Sequence, residues 1–254
     1  MTTDDLTRTD ATGHSRRLFL QRTAIVGGGI ALWSAPVVTA LAVPVTSGSP
    51  SPTPPGSTST FVLYDWAAYY ASTHSQSGPF TFLGETAPDT YVPANTYFTN
   101  PSDSSSAVAK GFTGSDSSFP YFYTVSGGEY TASGTVDVPN NTFVVHPGPS
   151  QNAVIAFTNP TGVAGHVRIA GQIIRRDTAN GSGDGVVLSM VDASGLPPQS
   201  GDSSASTGDT YGGNDSFDAT FDNVAPGATV YVIVGRNGDY TFDTTEVQLT
   251  VTVS

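Results

Sequence analysis

Three short apolar segments follow one another between residues 142 and 192, each bounded by glycine, proline, asparagine or aspartate. They cover residues 152–158, 165–175 and 185–191. Segments of this length and punctuation, rich in β-branched residues, predict strands of an antiparallel sheet. In the middle segment small or apolar positions alternate with polar ones: Val167, Ile169, Gly171 and Ile173 against His166, Arg168 and Gln172. This period of two places one face of the sheet in a core and the other in water.

Further strand-like segments occur on both sides of this stretch. They cover residues 61–66, 119–125, 129–138, 215–222, 228–235 and 246–253. Loops rich in glycine and serine separate them, the longest at residues 193–213, and no helix is predicted outside the N-terminal region. About ten strands at short spacing predict an all-β fold over residues 60–254, an antiparallel two-sheet sandwich with a jelly roll as the favoured topology.

The first 42 residues have the composition of an export signal. Arg16 and Arg17 precede Leu-Phe-Leu and a weakly apolar segment at residues 24–42 that ends in Ala-Leu-Ala. This order resembles a twin-arginine signal peptide, which implies twin-arginine export machinery as a partner, a bacterial host, and a mature protein that is secreted or at the cell surface. A retained amphipathic anchor is the alternative. Residues 43–59 predict an extended Pro/Ser/Thr linker.

The chain is strongly acidic. Its formal net charge is −12, from nine basic and 21 acidic side chains. Four basic and three acidic residues precede residue 43, so the remainder holds five basic and 18 acidic residues. A surface of this sign repels nucleic-acid phosphates and anionic lipid, so we expect no nucleic-acid partner and no stable membrane insertion after processing. The absence of cysteine excludes disulfides and thiolate chemistry.

Residues 61–138 contain sixteen aromatic side chains among loops rich in Ser, Thr, Asn and Asp. Carbohydrate-binding surfaces combine rings, which stack on the apolar faces of sugars, with short polar side chains that bond the sugar hydroxyls. Most of the rings must fill a core, so few remain for a site. Trp66, Tyr69 and Tyr70 are the predicted ligand-binding residues, because one strand cannot turn all three inward.

Three of the five basic residues after residue 42 are Arg175, Arg176 and Arg236. A guanidinium group can hold the carboxylate of an acidic sugar through paired hydrogen bonds, so these arginines are further predicted ligand-binding residues. The alternative is surface pairing with Asp177 or Asp239, where an exposed ion pair contributes about 0–1 kcal/mol.

A glycine-rich turn carries Asp177, Asn180 and Asp184 at short intervals. Calcium takes about six to eight oxygen ligands from carboxylates, amides and backbone carbonyls, and such a turn offers several. Asp239 and Asp243 would complete a site if the two hairpin ends meet. The five residues therefore predict a structural Ca²⁺ site, with an ordinary Asx-rich turn as the alternative. No other cofactor is expected.

No catalytic motif is evident. The histidines and glutamates after residue 42 are scattered: His74, His146 and His166, and Glu85, Glu129 and Glu246. Neither a Gly-x-Ser-x-Gly nor a His-Glu-x-x-His motif occurs. Glycosidases need two carboxyl groups across a cleft, and none of the glutamates lies in a suggestive context. We therefore expect that the protein is not an enzyme.

The second half of the chain contains a series of turn and strand motifs in one order. They cover residues 146–148, 153–160, 165–171, 184–186, 224–227 and 235–245. This order is similar to that of the jelly-roll, carbohydrate-binding-module-like or galactose-binding-like domains of secreted bacterial proteins, and it implies a non-enzymatic sandwich. With the aromatic residues, it favours binding of a glycan, such as a polysaccharide or cell wall, outside the cell. A structural or adhesive surface protein and an unrecognised hydrolase are the alternatives.

Overall fold

The computed structural model describes residues 58–116, 119–179 and 183–254. The predicted signal peptide, most of the predicted linker and Asn180 lie outside these residues. In order, the elements are β1 (Ser59–Val62), α1 (Leu63–Thr73), β2 (Phe80–Ala87), β3 (Thr90–Pro93), β4 (Thr96–Pro101), β5 (Val108–Asp116), β6 (Phe119–Ser126), β7 (Tyr130–Ala132), β8 (Val136–Val138), β9 (Phe143–His146), β10 (Asn152–Thr158), β11 (Gly165–Arg175), β12 (Val186–Asp192), β13 (Ser200–Asp202), β14 (Ala205–Ser206), β15 (Asn214–Val224), β16 (Thr229–Arg236) and β17 (Thr245–Val253).

The strands form two large antiparallel sheets, and the sandwich predicted from the sequence is confirmed. The larger sheet has the order β13-β15-β11-β17-β9-β6-β5-β4, with β1 also paired to β17. The smaller has the order β14-β12-β16-β10-β2-β3, and β7 and β8 form a separate hairpin. From β10 to β17 each strand lies in the opposite sheet from the strand before it, so every connection in this region crosses an end of the sandwich.

The core between the two sheets is built from the alternating positions of their strands. Val167, Ile169 and Ile173 are fully buried, as the period of two in β11 predicts. At the other end of the sheets Phe82 stacks on Phe122 and on Phe143, with both pairs of ring centroids 5.2 Å apart. Burial of these apolar faces is what holds a chain without disulfides together.

The prediction that the mature chain contains no helix is wrong, as is the predicted strand at residues 61–66. Strand β1 ends at Val62, and α1 follows with Leu63, Ala67, Tyr70 and Ala71 buried along one stripe. This i, i+4, i+7, i+8 spacing is helical, and the short segment 61–66 was too brief to reveal it. Helix α1 has 11 residues. No helix in the described part of the chain has the length and apolarity that a membrane span requires.

Two other segments differ from their predicted structure. Residues 129–138 form a hairpin of β7 and β8 rather than one strand, because Ser133 and Gly134 both take positive φ angles (54° and 68°) and reverse the chain. The predicted loop at residues 193–213 contains the short strands β13 and β14, which pair with β15 and β12 respectively.

Candidate functional site

An open groove lies on the face of the larger sheet that points away from the main core. It consists of two adjoining cavities of about 190 and 310 Å³. Strands β4, β5, β6 and β9 contribute its floor, the β7–β8 hairpin one wall, and the connection between β16 and β17 the other. We call it the aromatic groove, and its residues are Phe98, Asn100, Ala109, Phe119, Tyr121, Tyr123, Tyr130, Ala132, Ser133, Thr135, Val136, His146, Asp177, Tyr240, Thr241, Phe242 and Thr244.

The alternation of β6 supplies the central rings of the groove. Its sequence Phe-Pro-Tyr-Phe-Tyr carries aromatic side chains on both faces. Phe122 points into the main core, whereas Tyr121 and Tyr123 belong to a separate cluster beneath the hairpin. Aromatic residues on both faces of one strand indicate a second surface, buried or ligand-binding, besides the main core. This signal was present in the sequence of β6.

The rings of the groove form a continuous edge-to-face series. Phe119 lies 4.8 Å from Tyr121 and 5.4 Å from Tyr240, between ring centroids. Tyr121 lies 5.4 Å from Phe98 at the other end. These four rings are partly exposed, in contrast to the rings of the core. Edge-to-face packing fixes the ring planes, so the aromatic surface is preorganised rather than assembled by a ligand.

Backbone hydrogen bonds hold the hairpin wall in place. The N–H of Asp137 donates to the carbonyl of Arg176 at 3.0 Å, and the N–H of Thr178 donates to the carbonyl of Thr135 at 2.6 Å. The Tyr211 hydroxyl adds a 2.9 Å bond to the Asp137 carboxylate. The hairpin is thus fixed to the chain segment that follows β11.

Polar groups lie between the rings. The hydroxyl residues Ser133, Thr135 and Thr241 and the amide of Asn100 line the two cavities. Hydroxyl and amide groups donate and accept hydrogen bonds, which suits a ligand that carries many hydroxyls. Rings and short polar side chains therefore occur together on one accessible surface.

Two titratable groups line the groove besides its tyrosines. The Nδ1 atom of His146 lies 2.7 Å from the carbonyl oxygen of Pro147, which can only accept, so Nδ1 carries the proton. Burial lowers the pKa of His146, so the ring is neutral at neutral pH. Asp177 is 2 % exposed, its Oδ2 accepts the N–H of Thr244 at 2.6 Å, and burial raises its pKa. No lysine or arginine lines the described groove.

The three aromatic residues predicted to bind a ligand lie on α1 and outside the aromatic groove. Their ring centroids are within 6.3 Å of one another, so the helix does bring them together. Tyr70 is fully buried and its hydroxyl donates to the carbonyl of Phe80, so the expectation of an exposed ring is wrong there. Trp66 is partly buried, and Tyr69 is 51 % exposed.

The three predicted arginines have separate partners and form no common clamp. Arg175 is fully buried and donates to the carbonyls of Gly208, Gly183 and Ala179 at 3.1–3.4 Å. Arg176 forms an ion pair with Glu246, and exposed Arg236 donates to the carbonyl of Pro149. The predicted surface pairing with Asp177 or Asp239 is wrong for Arg175, which is buried, and for Arg176, which pairs with Glu246 instead. The charge of Arg236 does act on Asp239 and helps to lower the pKa of that carboxylate.

The two acidic loops meet, as the predicted cation site requires. Strand pairing explains it: Arg175 is opposite Thr245 and Val186 is opposite Arg236, so both connections leave the same end of the sandwich. The N–H of Asp239 donates to the Asp184 carboxylate at 3.3–3.4 Å. Asp177 binds the other loop through the N–H of Thr244.

Asp243 differs from the other three carboxylates at this junction. It is fully buried, and neither carboxylate oxygen has a hydrogen-bond partner among the described residues. Burial, and then the charge of Asp184, raise the pKa of Asp243 to about 8. Within the described ranges no three carboxylate or histidine side chains form a preassembled metal-binding cluster.

Comparison with protein-family models, with curated proteins and with solved structures finds no match to this chain.

Proposed function

We propose that this protein binds a glycan outside the cell without catalysing a reaction, and that the aromatic groove is its binding site. One observation carries the proposal: four partly exposed rings, of Phe98, Phe119, Tyr121 and Tyr240, lie in one open groove with hydroxyl and amide side chains between them. Rings offer flat apolar surface to the C–H faces of a sugar, and the polar groups bond its hydroxyls.

The charge of the groove favours a neutral or amino sugar over an acidic one. Asp177 is its only carboxylate among the described residues, and no basic side chain lines it. An acidic sugar would meet the Asp177 carboxylate at the base of the groove with no basic side chain in the lining to offset it. The predicted binding of an acidic ligand by Arg175, Arg176 and Arg236 has no support from their partners.

The lining also supports binding rather than catalysis. Hydrolysis of a glycosidic bond by the usual mechanism needs two carboxyl groups on opposite sides of the bond, and Asp177 has no second carboxylate facing it across the described groove. The buried position of Asp177 and its bond to Thr244 suit a structural role.

Removal of one ring from the groove should weaken glycan binding. We expect Tyr121→Ala and Tyr240→Ala each to reduce affinity about threefold to tenfold, the value of one aromatic stacking contact. A glycan array identifies the ligand, and titration calorimetry measures the affinity. Tyr121→Phe keeps the ring and should retain most of the binding.

Tyr69→Ala is the matched control, because Tyr69 is an exposed tyrosine outside the groove. Melting temperatures of all variants exclude loss of fold as the cause. Equal weakening by Tyr69→Ala would contradict the assignment of the site, and absence of binding to every glycan on the array would contradict the function.

The location of the protein is also part of the proposal. Arg16 and Arg17 are the residues that a twin-arginine translocase would recognise. Conversion of both to lysine should leave the precursor in the cytoplasm, since the charge remains but the paired guanidinium groups are lost. Immunoblots of cell fractions test this expectation, and secretion at the unmodified level would refute it.

A further inference from the structure

We propose that Asp243 and Asp184 bind a hard divalent cation of the calcium class where the two loops between β11 and β12 and between β16 and β17 meet. The inference is independent of the glycan-binding function, because it concerns the junction behind one wall of the groove. It rests on the environment of Asp243, whose two oxygens are buried without partners.

An isolated carboxylate inside a protein is strongly unfavourable unless an ion or hydrogen bonds compensate it. Each of the other three carboxylates at this junction accepts a backbone N–H: Asp177 from Thr244, Asp184 from Asp239, and Asp239 from Thr241. Asp243 alone accepts none among the described residues. The junction is therefore incomplete at Asp243.

Arg175 offsets the charge of Asp243 only in part, and it donates no hydrogen bond to this carboxylate. Its Nη atoms donate to carbonyl oxygens, its Nε has no partner, and no ion pair joins it to a carboxylate within the described residues. The junction thus holds four carboxylates, and the guanidinium groups that act on them are Arg175, at Asp243 and Asp177, and Arg236, at Asp239. Among the carboxylates, Asp184 acts most strongly on Asp243.

A proton alone would not complete the junction either. The protonated carboxyl group would need an acceptor for its O–H and a donor for its C=O, and the described residues around it supply neither. A water molecule could bond both oxygens but would leave the excess negative charge. A cation satisfies the charge and both oxygens at once, and calcium accepts such bidentate carboxylates together with backbone carbonyls.

Coordination would hold the two loops together, because Asp184 lies in the connection between β11 and β12 and Asp243 in the connection between β16 and β17. Tyr240, Thr241, Phe242 and Thr244 line the aromatic groove, and Asp243 lies within the same short connection. A cation bound to Asp243 would therefore fix this wall of the groove. Because the cation would bind the folded chain and not the unfolded one, its binding would also stabilise the folded state.

The test is addition of CaCl₂ to the purified full chain after treatment with EDTA, without any glycan. We expect titration calorimetry to show one bound Ca²⁺ and the melting temperature to rise with Ca²⁺ concentration. Asp243→Asn and Asp184→Asn should each weaken Ca²⁺ binding roughly tenfold or more, since each removes a charged ligand. MgCl₂ should bind more weakly, because Mg²⁺ retains its water ligands.

The matched control is Asp202→Asn, because exposed Asp202 accepts the N–H of Ser204 through an oxygen that asparagine keeps. This variant should bind Ca²⁺ like the unmodified protein. Absence of both heat and a melting shift at concentrations roughly tenfold above the 10⁻⁴–10⁻³ M range of weak extracellular sites would overturn the proposal. An unchanged affinity in Asp243→Asn would also overturn it, and would leave water or a proton beside this carboxylate.

Discussion

Replacement of Arg175 by methionine is expected to destabilise the fold by about 3–5 kcal/mol, the usual cost of removing one member of a buried charged group. The side chain is fully buried at the inner face of β11, and its loss leaves the carbonyls of Gly208, Gly183 and Ala179 without this donor. It also removes the positive charge that acts on Asp243 and Asp177. Chemical denaturation monitored by circular dichroism, with EDTA present, measures the difference.

Arg168→Met is the matched control, because Arg168 is an exposed arginine whose partner Asp218 is also exposed. It should have little effect on unfolding. The charge contribution at Arg175 is tested by the double variant Arg175→Met with Asp243→Asn, which should recover part of the lost stability because the uncompensated carboxylate is gone. Strictly additive effects would show that Arg175 acts only through the carbonyl groups.

The strands of the second half could be predicted closely from the sequence, for a physical reason. Residues 152–158 and 165–175 were predicted with the same limits that β10 and β11 have. Their apolar and polar positions alternate because one face of each sheet is buried, and turn-forming residues bound them. Local pattern and tertiary environment agree there.

The strands and helix before residue 126 were harder to predict, because short aromatic segments fit both the strand period of two and the helical period of about 3.6. Residues 61–66 fit a strand, and only the continuation through Tyr70 and Ala71 reveals the helical stripe of α1. The buried position of Tyr70 follows from that helix. Strand β2 was not predicted, although its buried Phe80 and Phe82 at alternate positions are a period-two pattern present in the sequence.

The two candidate sites depend on contacts between distant parts of the chain. The aromatic groove needs the β7–β8 hairpin to bond the segment after β11, and no local pattern specifies that contact. The acidic junction was predicted on the condition that two hairpin ends meet, and the pairings of β11 with β17 and of β12 with β16 meet the condition. The burial of Asp243 could not be predicted, because it depends on the packing of both loops.

Replacement of Asp243 by asparagine is expected to stabilise the metal-free protein above neutral pH. The pKa of Asp243 is raised from 3.8 to about 8 by burial and by Asp184, Asp177 and Asp239, against an opposing effect of Arg175. A group whose pKa is higher in the folded state contributes stability that is fully present below its unfolded pKa and is lost as the pH rises through the folded pKa. The unmodified protein should therefore lose this contribution between about pH 4 and pH 8.

Asparagine cannot ionise, so the free energy of unfolding of Asp243→Asn should lack this loss. The two proteins should have similar stability near pH 4. At pH 9 the variant should be more stable by about 3 kcal/mol. This difference is smaller than the free energy that corresponds to the whole pKa shift, because opening of the loops admits water to the carboxylate. Denaturation curves in EDTA at a series of pH values measure the difference, with Asp202→Asn as the control. Saturating Ca²⁺ should reverse the order above neutral pH, because the cation stabilises only the protein that retains the carboxylate. A difference independent of pH would contradict the assignment of this buried charge.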